Sequence, residues 1–193
     1  MKNKFKKLLA LLLIVFGSYS FTTVLNEKID INVDKSNLHW KGFKVTGSHE
    51  GNLKFESGTL TFTEDGKLVD GTFLIDMKSM ECTDLEGEYK EKLDRHLKSK
   101  DFFGTNEHPS ATLQFKEITV SGKNSYRIKG DLTIKGITNS IEFDFSIYGK
   151  KATATLKIDR TKYDIKYGSS SFFDGLKDKA IYDDFDIKVD LEF

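Results

Sequence analysis

Apolar side chains recur at every second position through most of this chain. The alternation runs through residues 29–34, 37–45, 51–63, 67–77, 111–121, 125–135, 140–148, 152–158 and 184–193, stretches rich in β-branched and aromatic residues. Period two with one apolar face is the pattern of antiparallel strands that bury one side. Glu64-Asp65-Gly66, Ser121-Gly122-Lys123-Asn124, Lys135-Gly136-Ile137-Thr138 and Tyr148-Gly149-Lys150 punctuate the runs with hairpin-type turns, so sequential strands are expected to be neighbours. About eight such strands close most economically into an up-and-down β-barrel, which leaves no open edge. The fold class is therefore all-β.

Two runs change parity. Leu53 and Phe55 give way to Leu60 and Phe62 across Ser57-Gly58, and Leu113 and Phe115 give way to Ile118 and Val120. An extra residue in a strand produces such a slip, so both are expected to be β-bulges that bend a barrel wall. Residues 83–99 break the pattern altogether. Leu85, Tyr89, Leu93 and Leu97 fall four apart, on one stripe of an amphipathic α-helix inserted in the barrel. Thr83 and Glu86 have capping-box spacing, and Glu88/Lys92, Glu91/Arg95 and Asp94/Lys98 are spaced as ion pairs along the helix. Packed on a barrel end, this helix would plug or lid the interior.

The first residues change the picture of where the protein works. Lys2, Lys4, Lys6 and Lys7 precede an apolar run from Leu8 to Phe16, and Ser18 and Ser20 suit cleavage after Ser20. That is the form of a secretory signal peptide over residues 1–20, too short for a membrane span. A weakly structured segment, 21–28, would precede a single domain, 29–193, in a periplasmic or secreted protein without stable membrane insertion. The chain has 30 basic and 30 acidic side chains, and without the four lysines of the signal 26 face 30. The mature part then has no basic surplus for nucleic acid.

Cys82 is the one cysteine. An internal disulfide is excluded, a disulfide-linked homodimer is left open, and a tolerated, half-buried small residue is the simplest reading. The histidines His39, His49, His96 and His108 are not spaced as metal ligands, so no metal site is expected. Gly168-Ser169-Ser170-Ser171 is not a nucleophile motif, and Asp183-Asp184 and Glu86/Glu88 lie in polar, solvated stretches. No glycine-rich phosphate loop occurs, so neither catalytic residues nor a cofactor are assigned. A metal- or haem-assisted activity of the histidines remains the enzyme alternative.

Phenylalanine, with 16 copies, is in excess. Alternation turns Phe55, Phe62, Phe73, Phe115, Phe143 and Phe145 inward beside Leu53, Ile75, Leu113, Leu132 and Ile134. Such a barrel can be packed solid or can hold a ligand, and the pattern alone leaves both open.

Four segments carry a resemblance. They are Ser36-Asn37-Leu38-His39-Trp40-Lys41-Gly42 with His49-Glu50-Gly51; His96-Leu97-Lys98-Ser99-Lys100-Asp101-Phe102-Phe103 with His108-Pro109 and Phe115; Gly130-Asp131-Leu132-Thr133-Ile134-Lys135-Gly136-Ile137-Thr138; and Ile158-Asp159-Arg160-Thr161-Lys162-Tyr163-Asp164-Ile165. Their order and spacing resemble the YceI-like family of exported polyisoprenoid-binding proteins over residues 30–193. Tyr163-Asp164-Ile165-Lys166-Tyr167-Gly168 departs from the shorter aromatic-glycine pattern expected after the arginine. The resemblance implies a lipocalin-like antiparallel barrel with an elongated interior for an isoprenoid chain and no catalysis. The expected lining is Leu53, Phe55, Phe73, Ile75, Leu113, Phe115, Leu132, Ile134, Phe143 and Phe145. His49, Arg95, His96 and Arg160 are the candidates for a polar headgroup at the mouth. The alternative is a packed barrel acting as a protein-interaction module through loops such as 168–179, which carries Phe172 and Phe173.

Overall fold

The computed structural model describes residues 26–193. The signal-peptide assignment of residues 1–20 lies outside that range, as do residues 21–25. The elements are β1 (Glu27–Asp30), β2 (Asn37–Lys44), β3 (Gly47–Phe62), β4 (Leu68–Cys82), α1 (Gly87–Lys98), β5 (Ser110–Gly122), β6 (Ser125–Ile134), β7 (Ile137–Tyr148), β8 (Lys151–Asp159) and β9 (Ile181–Glu192). Short 3-10 turns occupy Arg160–Tyr163 and Lys177–Lys179.

Each strand from β4 to β9 pairs antiparallel with the next, β9 pairs with β2, β2 with β3, and β3 with β4. That circuit is a closed eight-strand antiparallel barrel, the lipocalin-like form expected. β1 adds to the far end of β3, with Glu27 opposite Phe62 and Lys28 opposite Thr61. Glu27 and Lys28, expected in a weakly structured segment, are thus held by a ladder.

Alternation explains the wall. β8 shows the pattern without interruption, with Ala152, Ala154, Leu156 and Ile158 buried and the residues between them exposed. The parity slips are bulges, as expected: the β3–β4 register shifts between Phe55 and Ser57, and the β5–β6 register between Phe115 and Glu117. A third irregularity carries β4 beyond Met77 to Cys82. Residues 77–80 loop out of the ladder, Ser79 Oγ accepting from Lys54 N and donating to the Asp76 carbonyl. The side chain stands in for the missing backbone partners, so pairing resumes at Glu81 opposite Asn52.

The helix begins later than its apolar spacing suggests. Thr83 N donates to the Glu50 carbonyl at 2.9 Å, which keeps Thr83 on the sheet; Glu86 is the N-cap and makes no side-chain cap bond. None of the three expected pairs on the helix is among the ion pairs of the described residues. Asp94 turns to the barrel instead, accepting from Cys82 N at 2.7 Å and Lys90 Nζ at 2.8 Å. Tyr89, expected on the apolar stripe, is exposed, while Leu97 is buried with Phe102 and Phe103 of the following turn. No helix of the described residues is long and apolar enough to cross a membrane.

Candidate functional site

The barrel is not packed solid. An interior cavity of about 140 Å³ runs between its walls, roughly ten times what one water site needs. All ten residues expected to line an interior do line it, from Leu53 and Phe55 on β3 to Phe143 and Phe145 on β7. Phe115 is the hub, its ring centroid 5.6 Å from Phe73, 5.8 Å from Phe143 and 5.6 Å from Phe145. Edge-on and tilted contacts of this kind are favoured aromatic geometries and hold the rings in place.

One end is closed by residues outside the strands. Leu97, Phe102 and Phe103 line the cavity from the helix and the turn after it. Tyr182, 55% exposed and also lining the cavity, marks where the cavity reaches the surface, beside Gly42 and Ile181. Alternation assigned the wall residues named above, and the helix stripe carrying Leu97 was expected at a barrel end, but the contributions of Trp40 and Met80 were missed. The apolar stripe placed the helix at a barrel end without saying which residues of it, or of the turn after it, meet the cavity.

Arg160 is the only charged side chain on this lining. It is 2% exposed and donates to three backbone carbonyls. Its Nε donates to the Tyr182 carbonyl at 3.1 Å, Nη1 to the Ile165 carbonyl at 2.7 Å and Nη2 to the Ile181 carbonyl at 3.0 Å. Phe102 lies 5.6 Å beneath the guanidinium. Asp183 Oδ1, buried and without a hydrogen-bond partner, is 3.6 Å from Nη2. Burial pushes the Asp183 carboxyl up, but the Ser169 and Ser171 hydroxyls and the Arg160 charge outweigh it and hold the group below its ordinary range. Arg160 thus staples the turn after β8 to the start of β9. Tyr163, in the same turn, buries a hydroxyl without a partner, and burial pushes its pKa up to about 12.

The other headgroup candidates are not on the cavity lining. His96 stands edge-on to Tyr167, centroids 4.5 Å apart, and to Phe102 at 5.6 Å. Arg95 is on the exposed side of the helix, near Lys78 and Lys98. His49 Nδ1 is 3.1 Å from Asp84 Oδ2, and Asp84 Oδ1 accepts from the Cys82 thiol at 2.9 Å. Cys82 is fully buried rather than half-buried. Beside the mouth, the loop from Gly168 to Lys179 presents Phe172 and Phe173, each about half exposed, with Lys166 Nζ 5.1 Å from the Phe172 ring centre.

A model of the YceI-like domain matches residues 29–193. The chain belongs to this family. Two solved structures share the YceI-like fold at low identity. Burkholderia cenocepacia BcnA superposes with a TM-score of 0.67 at 23% identity, over 83% of this chain and 98% of that one. A polyisoprenoid binding domain from Saccharophagus degradans, implicated in plant cell wall breakdown, gives 0.57 at 13% identity, over 88% and 97%. Among curated relatives, a UPF0312 protein of Staphylococcus aureus strain bovine RF122 / ET3-1 is 38% identical over 88 residues, 40% of this chain and 48% of that protein. One from strain MRSA252 is 51% identical over 59 residues, 31% and 32%. The chain spans about half the length of these relatives or less.

Proposed function

We propose that this chain is an exported protein that sequesters or carries an apolar lipid of the isoprenoid type inside its barrel, without catalysis. The observation that carries the reading is the cavity, apolar on every wall except for an arginine already bound to backbone. A branched apolar chain gains about 25 cal/mol per Å² removed from water there and needs no polar partner. The YceI-like family and the polyisoprenoid binding of the Saccharophagus degradans domain support the ligand class. The Phe115 cluster narrows the interior, so a long chain fills it only as those rings rotate aside.

The test is native mass spectrometry of the mature protein purified without detergent, followed by organic extraction and identification of whatever is released. A stoichiometric isoprenoid supports the proposal. A bare mass together with no uptake of an apolar fluorescent probe ends it. N-terminal sequencing of the secreted or periplasmic protein, with Phe21 expected first, checks export.

A second reading follows from Phe172 and Phe173, whose exposure beside the mouth suits a loop that docks on a protein partner. Shortening the 168–179 loop would then abolish function while leaving probe uptake intact.

A further inference from the structure

The fold brings together three residues that the sequence keeps far apart. His49 is near the start of β3, Cys82 ends β4 and Asp84 lies in the link to α1. One nitrogen of His49, the Cys82 sulfur and a carboxylate oxygen of Asp84 all lie within 4.8 Å of one another. We propose that these three donors form a binding site for a divalent transition metal of the zinc class, a water molecule completing the coordination.

The donor set fits that class. Thiolate, imidazole and carboxylate are zinc ligands at about 2.3, 2.0–2.1 and 2.0–2.2 Å, which puts tetrahedral donors roughly 3.2–3.6 Å apart. The observed contacts are 2.9 Å from sulfur to Asp84 Oδ1 and 3.1 Å from His49 Nδ1 to Asp84 Oδ2. These contacts run to the two different Asp84 oxygens, and one donor atom from each residue lies within 4.8 Å of the other two, so the side chains must adjust to bring all three to zinc distances.

The backbone is fixed by a close approach. A Cβ at Gly51 would lie 1.9 Å from the Glu81 carbonyl oxygen and 2.8 Å from the Trp40 ring. Only glycine lets β3 come this near β4, and Gly51 pairs directly with Cys82. Thr83 N donates to the Glu50 carbonyl at 2.9 Å, Glu50 N donates to Asp84 Oδ1 at 3.2 Å, and Cys82 N donates to Asp94. Each donor residue or its neighbour is thus tied across the strand pair or to the helix, the outer support that orients ligands in metal sites.

Charge is suitable as well. Thiolate and carboxylate together neutralise a dication, and of the nearby cations Lys41 is occupied by Glu50 at 2.9 Å and Lys90 by Asp94 at 2.8 Å. Cys82 is fully buried while the His49 and Asp84 side chains are 29% and 30% exposed, so an ion enters from the His49–Asp84 side. Without metal, the Cys82 thiol donates its hydrogen bond to Asp84 Oδ1. On binding, the thiol proton leaves to solvent, sulfur donates a lone pair to the metal, and the His49 ring proton that faces Asp84 on Nδ1 passes through solvent to Nε2, so that Nδ1 can ligate. One proton is released per ion.

Titration of the full mature protein with cobalt(II), followed by displacement with zinc, tests the site. One equivalent of cobalt should produce the near-ultraviolet sulfur-to-cobalt charge-transfer band, and zinc should abolish it. Cys82→Ser should remove the band, and His49→Ala and Asp84→Asn should each weaken zinc binding by about tenfold or more. Asp84→Asn keeps the shape of the side chain and so serves if the Cys82 variant unfolds. Absence of the band, or zinc binding of unchanged affinity in Asp84→Asn and His49→Ala, overturns the proposal and assigns any bound ion to the surface.

Discussion

Ala154→Leu should stabilise the protein and weaken ligand uptake at the same time. Ala154 lines the cavity from β8. At about 24 cal/mol per Å³, an empty space of 140 Å³ costs the fold about 3 kcal/mol. Leucine adds three carbons to that space, worth up to about 2 kcal/mol at ~0.8 kcal/mol per buried methylene, less about 0.5–1 kcal/mol of side-chain entropy. The net gain of about 1–1.5 kcal/mol raises Tm by roughly 2–6 °C for a domain of this size. An apolar probe loses the same volume, so its Kd should rise about tenfold. Ala152, two residues back on the same inward face and fully buried, does not line the cavity. Ala152→Leu has no space to enter and should cost about 1–3 kcal/mol. Calorimetry of the lipid-free variants and fluorescence titration with the probe read both quantities. If Ala154→Leu lowers Tm and leaves the Kd unchanged, or if the two alanines behave alike, the interior is not hollow where the structure places the cavity.

Arg160→Met should cost about 3–5 kcal/mol, because it leaves the Ile165, Ile181 and Tyr182 carbonyls without their donor and Asp183 without its countercharge; a denaturant melt unchanged from wild type would show that these bonds do not hold the loops. Tyr163→Phe should be neutral or stabilising by about 1 kcal/mol, since the buried hydroxyl has no partner to lose. The folded pKa of Tyr163, about 12, stands above its ordinary 10.0, so its contribution is intact below pH 10 and about 2–3 kcal/mol drains away as pH rises through 12. Melts across that window should fall more steeply for wild type than for Tyr163→Phe, and parallel curves would refute the assignment. Gly51→Ala should destabilise by about 3 kcal/mol or more, because a methyl 1.9 Å from a backbone oxygen must push β3 and β4 apart; a variant with wild-type Tm would mean the strands are not so close.

The barrel could be read from the chain because a closed antiparallel wall imposes one rule on every strand, and an extra residue breaks that rule visibly at Phe55–Gly58 and Phe115–Ile118. The loop-out at residues 77–80 was invisible. Met77 and Met80 are both buried although their spacing breaks alternation, and the partner that makes this possible is the Ser79 hydroxyl. The helix start was misplaced because Thr83 has a better acceptor on Glu50 than any cap could offer, and Glu50 is 33 residues away. His49 and Asp84 are 35 residues apart, and Arg160 meets carbonyls 21 and 22 residues on. Spacing rules for ligands and anchors work within one element; across elements only the register between strands can bring such residues together.

That register also determines where a ligand can enter. Every strand of the barrel is paired on both sides, with ten residue pairs between β6 and β7 but only four between β7 and β8, so parting any two strands gives up hydrogen bonds, most at the long ladders and fewest at the β7–β8 seam. The end near β1 is held by the β1–β3 ladder, by Phe62 stacked on Phe193 at 5.8 Å, and by Asn32 N donating to the Glu192 carbonyl. At the other end, Leu97, Phe102 and Phe103 close the cavity from the helix and the turn after it, mostly by apolar contacts whose loss an entering apolar chain replaces. Among the polar ties there, Arg160 joins the turn after β8 to β9 and leaves Phe102–Phe103 free of its hydrogen bonds, while Asp94 accepting from Cys82 N holds the helix to β4. Rotating Phe102 and Phe103 aside therefore exchanges apolar contacts for apolar contacts, whereas lifting the helix off Cys82 or parting a strand ladder gives up hydrogen bonds that a hydrocarbon cannot return.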